Sequence, residues 1–170
     1  MSAALRLMAA AALALSGAAL HAEPLAYQVL GSTPSQAGSF DYVSVEQPSG
    51  RVFIGRSFGV ETMAGGRMTM VLTRKVVAPV LQIGSNLLLT TNRGMNTATL
   101  LNRSNARALA DLPTGTSPDG TVYDEASRRA FVMNGGSKDI TVIDVPTRRV
   151  VARIPLGVTP EAGVVDARSR

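Results

Sequence analysis

Three carboxylates, Asp41, Asp119 and Glu161, stand at one place in an internal repeat of this 170-residue chain, and they are its best candidates for acting together. One shift of the sequence lays Asn92–Asn102 on Asn134–Asp144 and Leu112–Asp119 on Ile154–Glu161 without a gap. A second shift lays Asp41, Arg51 and Phe53 on Asp119, Arg129 and Phe131. Carboxylates that a repeat gathers on one rim can bind a cation or a basic peptide. The same acids can instead each cap their own turn by accepting nearby backbone N–H groups, and a residue present in every copy serves the repeat first. Asn92 and Asn134, also in step, read as turn-formers that tolerate the left-handed backbone region.

Other chemistry is largely excluded by composition. With no cysteine in the chain there is no disulfide, iron–sulfur cluster, thiol nucleophile or covalently attached haem. The one histidine, His21, falls in a segment expected to be removed, which leaves no imidazole for a Ser-His-Asp triad or the usual transition-metal sets. Met63, Met68 and Met70 are soft enough for Cu(I), but their spacing is loose and neither Cys nor His supports it. Filling an irregular core edge is the reading for them. No catalytic residue and no cofactor are expected. The net charge is +5, yet the basic residues are scattered, with pairs only at Arg74-Lys75, Arg128-Arg129 and Arg148-Arg149. Such pairs at strand edges and turns discourage edge pairing, and no aromatic stacking platform accompanies them, so a nucleic-acid partner is not expected.

The elements that must position these residues are short strands. Val, Thr and Gly are abundant, aromatics are 4% and Trp is absent, which favours an all-β chain with an aliphatic core. The clearest stretch, Ser117–Gly157, alternates strands at Gly120–Tyr123, Arg129–Met133, Ile140–Ile143 and Val150–Ile154 with turns at Asp124–Arg128, Asn134–Gly136 and Asp144–Pro146. This is a four-stranded antiparallel meander of about 40 residues, the size of a propeller blade. Repeats are expected over 39–80, 81–114 and 115–157, with a fourth beginning at 158–170. The first departs from the pattern over Arg56–Met70. In the second, Val76–Val80 is wanted both as a last and as a first strand, so one strand is expected to be missing near Leu81–Ser85. Met1–Ala22 reads as a signal peptide cleaved after Ala22, too short and Ala-rich to anchor in a membrane. Residues 23–38 read as a strand, Tyr27–Leu30, followed by a linker.

The motifs Ser117-Pro-Asp-Gly120, Tyr123-Asp-Glu-Ala-Ser127, Arg129-Ala-Phe-Val-Met-Asn-Gly-Gly-Ser137, Thr141-Val-Ile-Asp144 and Arg149-Val-Val-Ala-Arg-Ile-Pro-Leu-Gly157 occur in this order. In them the chain resembles the YVTN-type bacterial β-propeller repeat proteins, the YncE-like periplasmic group. The resemblance is good over Gly115–Val165, fair over Phe40–Phe53 and Leu87–Leu112, and poor over Arg56–Arg74. It implies an exported propeller of about seven blades without an assigned enzymatic activity. Such a ring needs roughly 280 residues of repeats. The expectation is therefore an incomplete arc of about three to four β-propeller blades, a truncated member or a half-ring that self-associates through its open blade edges.

These observations favour an exported, non-catalytic binding or scaffold protein, periplasmic or secreted, whose rim takes a protein, peptide or polymer. A propeller lactonase or hydrolase with a channel-bound metal is the alternative, weakened by the absent histidine and the thin acidic clustering. A nucleic-acid-binding propeller is the second alternative and rests on charge alone.

Overall fold

The computed structural model describes residues 27–72, 80–84 and 86–166. Met1–Ala22, with the expected signal peptide and His21, lies outside them. The chain divides into a short N-terminal unit ending at Ser32 and a second unit from Thr33 onward. In the first, Tyr27–Ser32 forms no strand, and Tyr27, Val29 and Leu30 are exposed. The strand expected at Tyr27–Leu30 is thus corrected: it enters no ladder.

The second unit is all-β, with twelve strands among the described residues. β1 (Phe40–Val45), β2 (Val52–Arg56), β3 (Gly59–Ala64) and β4 (Arg67–Leu72) form the first sheet. β5 (Val80–Ile83), β6 (Leu87–Asn92), β7 (Thr97–Asn102) and β8 (Ala108–Pro113) form the second. β9 (Pro118–Asp124), β10 (Arg129–Asn134), β11 (Asp139–Asp144) and β12 (Arg149–Pro155) form the third. Each sheet is an antiparallel meander of neighbours in sequence order, so each is one propeller blade. The first strands lie together on the inner side, with β1 against β5 and β9 against β5 and β6.

Two expectations about the early repeats change. Arg56–Met70, read as a departure from the repeat, forms the hairpins that complete the first blade, with β2–β3 closed at Arg56 and Gly59 and β3–β4 at Ala64 and Arg67. Gly65 and Gly66, at φ 55° and 75°, supply the two positive-φ positions that a two-residue hairpin turn requires. Nor is a strand missing from the second blade, because Val80–Ile83 pairs in full with Leu87–Thr90. At the other end, Leu156–Asp166 enters no strand, so the start of the fourth repeat is not paired among the described residues. It nonetheless crosses the third blade closely: a Cβ on Gly120 would meet the Glu161 carbonyl oxygen at 2.2 Å.

Two apolar clusters hold the blades face to face. Phe53 and Val60 of the first blade pack with Leu88 and Leu101 of the second. Leu89, Ala98, Leu100 and Leu112 of the second pack with Ala130, Val132 and Ile143 of the third. Alternate residues of β6 therefore serve opposite neighbours, which is why these strands read as nearly continuous apolar runs.

Candidate functional site

Asp41 sits on β1 and Asp119 on β9, both half-buried, while Glu161 is exposed on the segment after β12. Asp41 and Glu161 each come within electrostatic reach of Asp119. Burial pushes the Asp119 carboxyl above its usual value; the Arg93 guanidinium opposes this, and the charges of Asp41 and Glu161 add to the rise. Arg93 Nη2 donates to Asp119 Oδ2 at 2.9 Å, and the Thr91 hydroxyl donates to the Asp119 carbonyl at 3.1 Å. The rim acid of the third blade is thereby tied to the second. Asp41, within β1, accepts the N–H of its neighbour Tyr42 at 2.8 Å. The three acids of the repeat thus divide: Asp41 serves its own backbone, Asp119 holds an inter-blade pair, and Glu161 faces solvent. Among the described residues, no three of His, Cys, Asp and Glu are grouped to hold a metal ion.

The repeated asparagines do something other than turn the chain. Asn92 has φ −123°, and the left-handed position of that turn is Asn96 at φ 53°. In the third blade it is Lys138 at φ 56°, not Asn134 or the two glycines after it. Asn92 and Asn134 end β6 and β10 fully buried. Asn92 donates to the hydroxyls of Thr97 and Thr99 at 2.9 and 2.8 Å. Asn134 donates to Asp139 Oδ1 and the Thr141 hydroxyl at 2.7 and 2.9 Å. Thr141 in turn accepts the Gly115 N–H at 3.2 Å, so the buried amide organises the linker entering the blade.

In the first blade an ion pair takes over this place. Strand pairing sets Ile54 opposite Glu61, Thr90 opposite Thr99 and Val132 opposite Thr141, so Arg56 and Glu61 occupy the positions of Asn92 and Thr99. Arg56 donates to the Glu61 carboxylate and the Ser35 hydroxyl. It also donates to the carbonyls of Gln36, Gly38 and Ser39 at 2.6, 3.2 and 2.9 Å. Phe40 and Phe58 lie against the guanidinium at 3.8 and 4.7 Å. Ser35, Gln36 and Gly38, in the segment expected as a linker, thus bond to the first blade through Arg56. Sequence reasoning missed the pair; its signal was a charge standing where the later copies carry Asn.

The methionines do not converge. Met63 and Met68 are register partners on the β3–β4 hairpin, whereas Met70 pairs with Glu61 and lines a cleft with Thr62 and Thr69. All three are half-buried.

No family model and no curated protein matches this chain. Solved structures do. It is similar to the WD40 repeats of RRP9 at 11% identity and a TM-score of 0.64, over 72% of this chain and 40% of that one. It is similar to the Neurospora crassa Pan2 WD40 domain at 12% identity and a TM-score of 0.60, over 74% and 40%. A protein of unknown function from Bacteroides caccae matches at 12% identity and a TM-score of 0.57, over 72% and 48%. The chain spans less than half the length of each. At such identities the likeness establishes the fold, a β-propeller arrangement of blades, and nothing about ligands.

Proposed function

We propose that this β-propeller chain is a non-catalytic binding scaffold of the bacterial cell envelope, exported by its N-terminal signal segment and akin to the YVTN-type, YncE-like group. The leader composition and the quoted repeat motifs support export and kinship. The observation that carries the binding role is that Asp41 and Glu161, acids of two other repeats, both lie near enough to Asp119 for their charges to act on it. Like charges held together favour a cationic partner, whose arrival relieves the repulsion. The partner is a basic segment of an envelope protein or peptide, bound at the rim and weakened by salt.

Titration of the mature chain with a fluorescent Lys/Arg-rich peptide, against a charge-reversed peptide, tests this by anisotropy. Binding is expected for the basic peptide alone, with roughly tenfold loss when Asp119→Asn and Glu161→Gln are combined. Equal binding of both peptides, or none at low salt, removes the reading.

A second copy of the chain is the other proposed partner. Leu112, at the junction of the second and third blades, is 7% exposed, whereas its repeat counterpart Ile154 on the third blade is 41% exposed. On the first blade, Val43 and Val45 pair with Ile54 and Val52 and are 58% and 50% exposed. The two open faces are repeat equivalents of faces that already pack on one another inside the unit, so head-to-tail association buries them by the same geometry.

A further inference from the structure

Two clefts open at repeat-equivalent places between neighbouring blades, and they differ in chemistry. The one between the second and third blades, about 360 Å³, is lined by Ile83, Leu87, Tyr123 and Val145 together with Asn86 and Arg148. The one between the first and second, about 650 Å³, is lined by Ser49, Arg51, Thr62, Thr69, Arg103 and Ser104. Arg103 follows Asn102 at the end of β7 as Val145 follows Asp144 at the end of β11, so a guanidinium replaces an isopropyl group. At the equivalent place the other cleft carries the isopropyl group of Val145, so the repeat itself does not require a guanidinium there.

The charges around this cleft do not cancel. Arg103 Nη1 lies 2.7 Å from Glu46 Oε1 and Arg51 Nε 3.1 Å from Glu46 Oε2, so two guanidinium groups share one carboxylate. Glu46 also accepts the Ser49 hydroxyl, which together with the two arginines holds its pKa below the usual range and keeps it ionised. Among the described residues no acid lines the cleft itself, and the single carboxylate of Glu46 beside it meets two guanidinium groups. Arg51 and Arg103 keep 38% and 20% of their side-chain surface open, while Glu46 keeps 5%. Hydrogen bonds hold the turn that carries Arg103. Asn102 Oδ1 accepts the Ser104 N–H at 2.9 Å and the Ser104 hydroxyl at 2.7 Å, and the Arg103 N–H donates to the Asn86 carbonyl at 2.9 Å.

A preorganised, partly open pair of guanidinium groups beside several hydroxyls suits an anionic group carried on a polyol. We propose that the cleft between the first and second blades binds an acidic sugar, its carboxylate or phosphate on Arg51 and Arg103 and its hydroxyls on Ser49, Thr62, Thr69 and Ser104. This site is separate from the carboxylate rim and takes a ligand of opposite charge.

Isothermal titration of the mature chain at low salt with galacturonate, glucose 6-phosphate, glucose and inorganic phosphate tests the proposal. Saturable binding is expected for the first two, whose ratio tells a uronate site from a sugar-phosphate site. Glucose and phosphate alone are expected to bind at least about tenfold more weakly, since each offers half of the interaction. Arg103→Val, which installs the residue that the other cleft has at this place, is expected to weaken the better ligand by about 10- to 100-fold with an unchanged circular dichroism spectrum. Arg51→Met at the mouth of the cleft gives a second reading if that variant does not fold. Glucose binding as tightly as the acidic sugars, no saturation by either acidic sugar, or full binding by the folded arginine variants would each overturn the proposal.

Discussion

Arg56 and Glu61 form an ion pair in the first blade with none of the arginine side chain and 6% of the glutamate side chain left to solvent. The same place is held in the other two blades by neutral pairs, Asn92 with Thr99 and Asn134 with Thr141. One repeat position therefore has two solutions, and in the first and third blades each fastens the chain that enters the blade, through Arg56 and through Thr141.

Removing one partner of the charged solution is expected to be costly. Glu61→Ala leaves a buried guanidinium without its counter-charge, for a loss of about 3–5 kcal/mol in urea denaturation. Arg56→Asn combined with Glu61→Thr installs the neutral pair and should be less destabilising than the sum of the single changes. Strict additivity would show that the two residues do not act as a unit.

The neutral solution carries its own expectation. Asn134→Ala strips donors from Asp139 and the buried Thr141 hydroxyl and should cost about 1–3 kcal/mol. Amide exchange should quicken first at Gly115, whose N–H bonds to Thr141.

Glu46 predicts acid sensitivity. Its folded pKa is lowered from 4.5 by the Ser49 hydroxyl and by Arg51 and Arg103, so the folded state binds fewer protons than the unfolded one below that value. The stability it contributes is complete above the unfolded value and is lost as pH falls through the folded one. Between about pH 6 and 3 the wild type should lose more stability than Glu46→Gln, as chemical denaturation at each pH will show.

Asp119 predicts the opposite sign. Its folded pKa is raised above 3.8, chiefly by burial, so its ionisation opposes folding, and that penalty is relieved as pH falls through the raised value. The stability of wild type minus that of Asp119→Asn should rise as pH is lowered through that window. A flat difference would mean that Arg93 fully balances burial and the neighbouring acids.

Self-association is open to direct measurement. Ile154→Asp or Val43→Lys places a charge on an open face and should shift the sedimentation of the chain toward monomer, since neither side chain is buried within the unit. An unchanged concentration dependence would remove head-to-tail packing.

Much of the fold was legible along the chain because blade strands are local and their turns carry strong signals. The four strands of Ser117–Gly157 fall within a residue or two of where alternation and turn residues placed them. The first blade was harder to read because its β2–β3 turn is shorter than the Asn-Gly-Gly connection of the third blade. That shortening broke the register over Arg56–Met70 and left Val76–Val80 wanted for two strands, so that one strand looked missing near Leu81–Ser85.

The sequence by itself determined the repeat, the all-β character and the spacing of Asp41, Asp119 and Glu161, since periodicity and turn chemistry depend on neighbours along the chain. Only the tertiary structure decided that Asn92 and Asn134 are buried donors, that Arg56 is closed on Glu61, and that two arginines share Glu46 across a blade junction. Each of these depends on which residues face one another between strands or blades, and residue type and spacing alone do not specify that pairing.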